Sequence, residues 1–381
     1  MRRRLALIAV ALLVVTGWIG LRPYARAAAF VARVTGLEGP VASRLAGLGA
    51  RSFSTADLVV PTRRGALRAR VYVPDGTVTR AIVLTPGVHA EGIDEFRLVG
   101  LARQAAASGL VVLTPELPDL LDYGITPALP DAIEDVAVWL AGQPRYAPDG
   151  RVGLVGISFS GGLSIVAAGR PSLDDRLAFT LSFGGHGDLG RVLRYLCTGI
   201  QPSGWKRPPH DYGVAVILMN AASRLVPPDQ VDGLREGIRT FLHASHLDMT
   251  DKARAADVFA RARAMEATLA EPARTLLRLV NARDVATLGP RLLPVVDGVS
   301  MDAALSPERS RPPVTPVYLL HGTDDNVVPA VESTMLAAYL RRSTRVRLLV
   351  TPLITHAEVD RSAGVDDIVA LIAFWAEVLR R

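Results

Sequence analysis

The sequence predicts an α/β protein: a mostly parallel central sheet flanked by helices, with a helical cap inserted into it. Three observations carry this. The runs AIVLTP, LVVLTPE, VGLVGI, AFTLSFGG, VYLLHG and RVRLLVT are short, apolar and free of polar alternation, as strands buried on both faces must be. Segments of helical spacing lie between most of them, which is the alternation of a parallel sheet. From about residue 187 to 312 the strand signal vanishes, and amphipathic helices such as DQVDGLREGIRTFLHASH and DKARAADVFARARAMEATLA replace it.

In chain order, Arg2, Arg3 and Arg4 precede an uncharged run from Leu5 to Leu21, followed by Arg22 and Pro23. Residues 1–23 therefore read as a membrane anchor or signal segment. The arginines place the N-terminus in the cytoplasm and the body on the exported side, as a single-pass protein of the cell membrane. Ala25-Arg26-Ala27 offers a cleavage site, which keeps secretion after signal cleavage open as the alternative.

Residues 24–51 form a helical linker, with a helix around Tyr24 to Val34. DLVVPT and LRARVYVP flank the turn Arg63-Arg64-Gly65 and predict an edge hairpin. Helices follow over about Asp94 to Ala107, stopped by Gly109, over about Thr126 to Gly142, and in GLSIVAAG. Residues 52–186 make the first part of the core and 187–312 the cap, broken at QPSGWKRPPHDYG and SPERSRPPVTP. Residues 313–381 make the second part, with a helix after Pro329 and a last one from Val365.

Composition sets the class. A chain of 381 residues, 49% hydrophobic and 21% charged, buries a full core. The formal charge of +6 is nearly all arginine, since Lys206 and Lys252 are the only lysines. These arginines are scattered and form no basic stripe, so no nucleic-acid partner is expected. Cys197, the only cysteine, permits neither an intrachain disulfide nor a cysteine-based metal site. The histidines show no metal-ligand spacing with carboxylates, so no metal is expected, and the serine chemistry read below requires no cofactor.

Chemistry concentrates in GISFSGG, residues 156–162, between VGLVGI and a helix. A serine is a competent nucleophile only with a histidine base, a carboxylate behind it and N–H donors for the oxyanion. A sharp strand-to-helix turn exposes such a serine but admits only small residues two before and two after it. Ser158, between Gly156 and Ser160, and Ser160, between Ser158 and Gly162, both meet that rule. The apolar run ends at Ser158, which favours it. Phe159 then supplies an oxyanion N–H from the helix N-terminus. Ser160 becomes the small neighbour, its hydroxyl placed to cap the helix. Further along come HGTDDNVVP, residues 321–329, and His356 in TPLITHAEVD. Serine, aspartate and histidine thus occur in that order, each just past a predicted strand, the edge where ligands gather in open α/β sheets.

In these features residues 52–186 and 313–381 resemble the α/β-hydrolase fold, in its serine esterase, lipase or dienelactone-hydrolase-like branch, with a cap where that family commonly inserts one. The resemblance implies Asp325 as the acid, four residues after His321 and ahead of Val328 and Pro329, with Asp324 and Asp188 as rivals. It implies His356 as the base and Val88, in TPGVHAEG, as the second oxyanion N–H, with His89 next in line. The sequence departs from the family at two places: Ser160 replaces a common glycine, and Pro86 a common histidine. His321 belongs to the scaffold, His186 is placed to line the cap entrance, and His210, His243 and His246 read as surface or packing residues of the cap. The implied activity is hydrolysis of a small-molecule carboxylic ester, and the large helical cap and the N-terminal anchor point to a lipophilic one. A serine peptidase of the prolyl-oligopeptidase type and a non-catalytic binding protein are the alternatives; thioester and lactone hydrolysis use the same machinery.

Overall fold

The computed structural model describes residues 20–35, 40–299, 302–354 and 364–380. Helix α1 spans 20–35 and α2 Pro40–Gly47. The strands β1 (Phe53–Thr62) and β2 (Gly65–Pro74) form the hairpin, closed around Arg63 and Arg64 with Thr62 opposite Gly65. Gly65 sits at φ +118°, a conformation open to glycine alone at little cost. Then come β3 (Ala81–Thr85), α3 (Phe96–Ala107), β4 (Val111–Pro115), α4 (Pro118–Leu121), α5 (Ala128–Ala141), β5 (Val152–Ile157), α6 (Phe159–Ala168) and β6 (Leu177–Phe183).

A run of helices follows: α7 (Leu189–Thr198), α8 (Asp211–Leu225), α9 (Pro228–Leu247), α10 (Lys252–Met265), α11 (Ala273–Asn281) and α12 (Val285–Val299). The chain returns to the sheet with β7 (Val317–Gly322), α13 (Val331–Leu340), β8 (Val346–Thr351) and α14 (Val365–Val378).

The strands form one eight-stranded sheet in the order β1-β2-β4-β3-β5-β6-β7-β8. The pairs β1/β2 and β2/β4 are antiparallel, and every pair from β4/β3 to β7/β8 is parallel. From β3 the chain steps outward to β4 and then crosses back to β5 on the other flank of β3. This reversal opens a crevice at the carboxyl ends of β3 and β5, where loops diverge instead of covering each other.

Both faces of the sheet are packed, which is why its strands lack alternation. Val83, Leu113 and Leu154 point to one face, with Ile133, Leu140 and Leu163 of α5 and α6. Ile82, Val112 and Val155 point to the other, with Leu98 of α3 and Leu371 and Phe374 of α14. Each such buried side chain contributes about 1.5–3 kcal/mol.

The helical segment packs around Leu234, Ile238, Phe241, Leu277 and Val280, which are continuous with the core on the α5 and α6 face of the sheet. Gly237 makes that packing possible, because a Cβ there would stand 2.5 Å from Leu277 Cδ2. A partly buried ionic cluster, centred on the buried Glu332, joins the first cap helix to the core. Arg191 of α7 meets Glu308 at 2.7 Å and Glu332 of α13 at 2.8 Å. Glu332 also accepts from the Gly187 and Asp188 amides, so its charge is compensated from several sides.

Helix α1 docks on the core rather than standing free. Phe30 packs edge-on against Trp375 of α14 at 4.6 Å, and Arg33 donates to Ala46 O and Ser108 Oγ. Of the anchor or signal segment expected over residues 1–23, residues 1–19 lie outside the described residues. Among the described residues, no helix is long and apolar enough to cross a membrane.

Candidate active site

Strand β5 ends at Ile157, and Ser158 turns the chain into α6 with φ 56° and ψ −133°. A serine at positive φ is strained by about 1–3 kcal/mol, a cost met by the surrounding packing. Its own amide donates to Phe183 O at 2.7 Å, and its carbonyl accepts from Gly161 N at 2.8 Å. The turn is so tight that a Cβ on Gly156 would lie 2.2 Å from Ser160 O. Gly161 and Gly162 are equally confined, by Ser182 Oγ at 2.4 Å and by the His186 ring at 2.5 Å. The spacing rule for small residues covers Gly162 only for a nucleophile at Ser160. The contacts instead require glycine at three positions, 156, 161 and 162, around one half-buried serine.

Ser160 corrects one expectation. The N-cap of α6 is Ser158, with no side-chain capping bond. The fully buried Ser160 hydroxyl instead donates to Pro86 O at 2.5 Å, tying the turn to the loop after β3. Ser160 is the second residue of α6, inside the helix and not at its N-cap, so its oxygen does not stand where a cap accepts from the first free amides.

That loop carries Val88. Gly87 brings it against the turn: a Cβ on Gly87 would stand 3.6 Å from Ser158 Cβ. The Val88 carbonyl accepts from the Tyr212 hydroxyl of α8 at 2.7 Å. The neighbouring His89 ring meets His246 of α9, Nε2 to Nδ1, at 2.8 Å. His246 was read as a surface or packing residue; it is 9% exposed, and its other nitrogen lies 3.2 Å from Glu91. Its position was the available signal, since it follows Leu242 by four residues on the buried face of α9.

Asp325 follows β7 and is 2% exposed. One carboxylate oxygen accepts from Val327 N at 2.8 Å and Val328 N at 2.9 Å, an arrangement that fixes the side chain and favours its charge. The other lies 3.4 Å from His321 Nε2 and faces Gly184. His321 is itself buried, bonded to Ser333 Oγ and Val328 O, and so belongs to the scaffold. The ends of the strands are laced together here: Ser158 N donates to Phe183 O, and Gly184 N to Leu320 O. Asp324 is exposed and pairs with Arg207 at 3.2 Å. Asp188 caps α7 through Arg191 N and binds Arg309, which occupies both its oxygens.

His186 also departs from expectation. It lines no entrance; it is fully buried against Gly162 with Nε2 2.8 Å from Leu305 O, and burial lowers its pKa. His210 caps α8, and His243 is exposed. His356, the expected base, lies outside the described residues, between β8 and α14 in the sequence. Cys197 is buried, which raises its thiol to about 12 and keeps it protonated.

Ser158, Phe159, Val88 and Asp325 all line one cavity of about 760 Å³. Tyr212, Leu242 and Met249 from the cap and Val34 of α1 line it too, so its wall is largely apolar. The volume lies within the range of small-molecule sites.

No family model matches the sequence, and no curated protein does. Solved structures do. A putative hydrolase from Legionella pneumophila has a TM-score of 0.50 and 11% identity, over 88% of this chain and 91% of that one. A thermostable carboxylesterase from a metagenomic library has a TM-score of 0.47 and 15% identity, over 87% and 91%. An acylaminoacyl peptidase of Pyrococcus horikoshii has a TM-score of 0.46 and 12% identity, over 89% of this chain but only 42% of that protein. With the strand order, the reversal at β3 and the turn after β5, the likeness to the Legionella structure gives this chain the α/β-hydrolase fold.

Proposed function

We propose that the chain is a serine hydrolase of carboxylic esters, with Ser158 as nucleophile, His356 as base and Asp325 as the acid that orients it. The observation that carries the reading is Ser158 itself. It is held at positive φ on the tip of β5 and lines the same cavity as Asp325, Phe159 and Val88.

His356 takes the Ser158 proton as the hydroxyl oxygen bonds to the ester carbonyl carbon. The charge that develops on the carbonyl oxygen is met by the N–H groups of Phe159 and Val88, at the positive end of α6. Collapse breaks the carbon–oxygen bond to the alcohol, which leaves with the proton from His356. Water then attacks the acyl-serine with His356 again as base, releasing the acid and restoring Ser158. Asp325, bonded by two backbone amides, holds a charge that stabilises the imidazolium. The apolar wall of the cavity favours a lipophilic acyl or alcohol group.

The arginines ahead of Leu5 and the uncharged run that follows support an N-terminal anchor in the cell membrane with the body exported. Helix α1, which continues that segment, lines the cavity through Val31, Arg33 and Val34. Retention in the membrane pellet after a carbonate wash tests the anchor.

A fluorophosphonate probe tests the chemistry. It labels the wild type and Ser160→Ala but not Ser158→Ala; an unlabelled wild type, or labelling that survives in Ser158→Ala, sinks the assignment. Paired p-nitrophenyl esters and peptide anilides separate ester from peptide hydrolysis, and turnover of the anilides alone overturns the substrate class.

A further inference from the structure

We propose that the cap sets the geometry of the oxyanion hole: Tyr212 of α8 and His246 of α9 are positioning residues that hold the Val88 N–H toward the reacting carbonyl. The inference rests on the reading of Ser158 as nucleophile.

The loop from Pro86 to Glu91 lies outside any helix or strand, so no ladder of backbone hydrogen bonds orients its peptide planes. Each plane is rigid, and only the dihedrals between planes are soft. The Val88 N–H belongs to the plane shared with Gly87, the residue with the greatest backbone freedom. The planes on either side are clamped. Pro86 O accepts from Ser160 Oγ at 2.5 Å, and Val88 O accepts from Tyr212 Oη at 2.7 Å. With both neighbours held, the middle plane and its N–H have one orientation.

The second clamp acts one residue further on. His89 Nδ1 accepts from Glu91 N at 3.1 Å, so in the neutral ring the proton sits on Nε2. That proton is donated to His246 Nδ1 at 2.8 Å, which places the His246 proton on Nε2, facing the Glu91 carboxylate at 3.2 Å. Four groups thus close a ring in which each hydrogen has an acceptor. Tyr212 keeps its proton for Val88, because burial raises its phenol well above the ordinary value. Both clamps reach the loop from the cap, across 124 and 157 residues of sequence. The hole is therefore formed when α8 and α9 are docked and loses its second donor when they lift.

Tyr212→Phe removes one hydroxyl and keeps the ring that packs on Tyr123. The expected result is a loss of about tenfold in kcat with KM within about twofold, short of the about 100-fold cost of deleting a donor outright. The affinity of a trifluoromethyl ketone, which forms an oxyanion on the nucleophile, falls by the same factor, while that of the matching unreactive alcohol stays unchanged. An unaltered kcat, or equal losses for ketone and alcohol, overturns the proposal and leaves Tyr212 a packing residue. His246 gives an independent reading should Tyr212→Phe not fold. His246→Asn retains an acceptor in place of Nδ1 and keeps most of the activity, whereas His246→Ala loses about tenfold; equal activities of the two overturn the second clamp. Wild type unlabelled by fluorophosphonate removes the reading of Ser158 and this inference with it. Labelled wild type with an unaffected Tyr212→Phe removes the inference alone.

Discussion

Replacing Gly156 by alanine probes the turn at its tightest point. Gly156 lies in β5 between Thr85 of β3 and Ser182 of β6, so the strand itself has nowhere to go. The new Cβ would stand 2.2 Å from Ser160 O, 2.5 Å from Ser160 C and 2.5 Å from Ser164 Oγ, whereas an ordinary contact begins at 3.4 Å. The first turn of α6 must therefore retreat by about 1 Å, and the clash is with backbone, which has no rotamer to yield. That places the cost near the upper end of the usual 1–3 kcal/mol for overpacking, about 3 kcal/mol. The retreat is not local, because Ser160 holds Pro86 through its hydroxyl and Phe159 carries one of the oxyanion amides. Moving both by about 1 Å lowers kcat by about 100-fold.

The assay is a urea unfolding midpoint and kcat on a p-nitrophenyl ester, measured beside Gly100→Ala. Gly100 sits in α3, where an added Cβ meets nothing within 4 Å. Gly100→Ala gains about 0.5–1 kcal/mol from helix propensity and serves as the control for stability only, because Gly100 also lines the cavity. A Gly156→Ala protein with wild-type kcat and a stability within about 0.5 kcal/mol of wild type refutes the reasoning. Stability lost with kcat intact would mean that the turn is rigid but that the chemistry happens elsewhere.

The other perturbations act at a distance from this turn. Asp325→Asn keeps an oxygen for the Val327 and Val328 amides, so unfolding stays near wild type while kcat falls by about 10³–10⁴-fold; a fall below tenfold would remove Asp325 as the acid. Glu332→Ala leaves Arg191 short of one carboxylate and two buried amides unpaired, and lowers the urea midpoint by the equivalent of about 3–5 kcal/mol; a change under about 1 kcal/mol would mean that the cluster does not join cap to core. Acid weakens the loop contact through His89. Burial, and then the neighbouring His246, lower its pKa from 6.5 to about 4, with Glu95 opposing and Arg97 and His243 adding to the effect. The unfolded chain thus binds a proton that the folded chain refuses, and stability falls as pH drops from about 6.5 to about 4, by at most about 3 kcal/mol. His89→Gln removes that part of the slope, and an unchanged slope in its urea midpoints from pH 4 to 7 would exclude His89 as its source.

What was legible in the sequence is what local patterning encodes. VGLVGI is apolar throughout because both faces of β5 are covered, and the run stops at Ser158 because the chain leaves the sheet there. The same logic gave the hairpin, in which Gly65 supplies the positive φ. Contacts of single polar groups carry no such period. Nothing in HASH says that the second histidine faces a ring 157 residues earlier, and nothing in HDYG says that the tyrosine reaches a loop carbonyl. These bonds do have a local trace: a polar side chain set on an otherwise apolar helix face. His246 stands four residues after Leu242 on such a face, where an unpaired imidazole would cost about 1–3 kcal/mol. A residue tolerated there needs a partner, and the partner lies where the chain is least able to orient itself, in the loop beside Ser158. A buried polar residue of the cap, read with that rule, therefore points back to the site even when no motif connects the two.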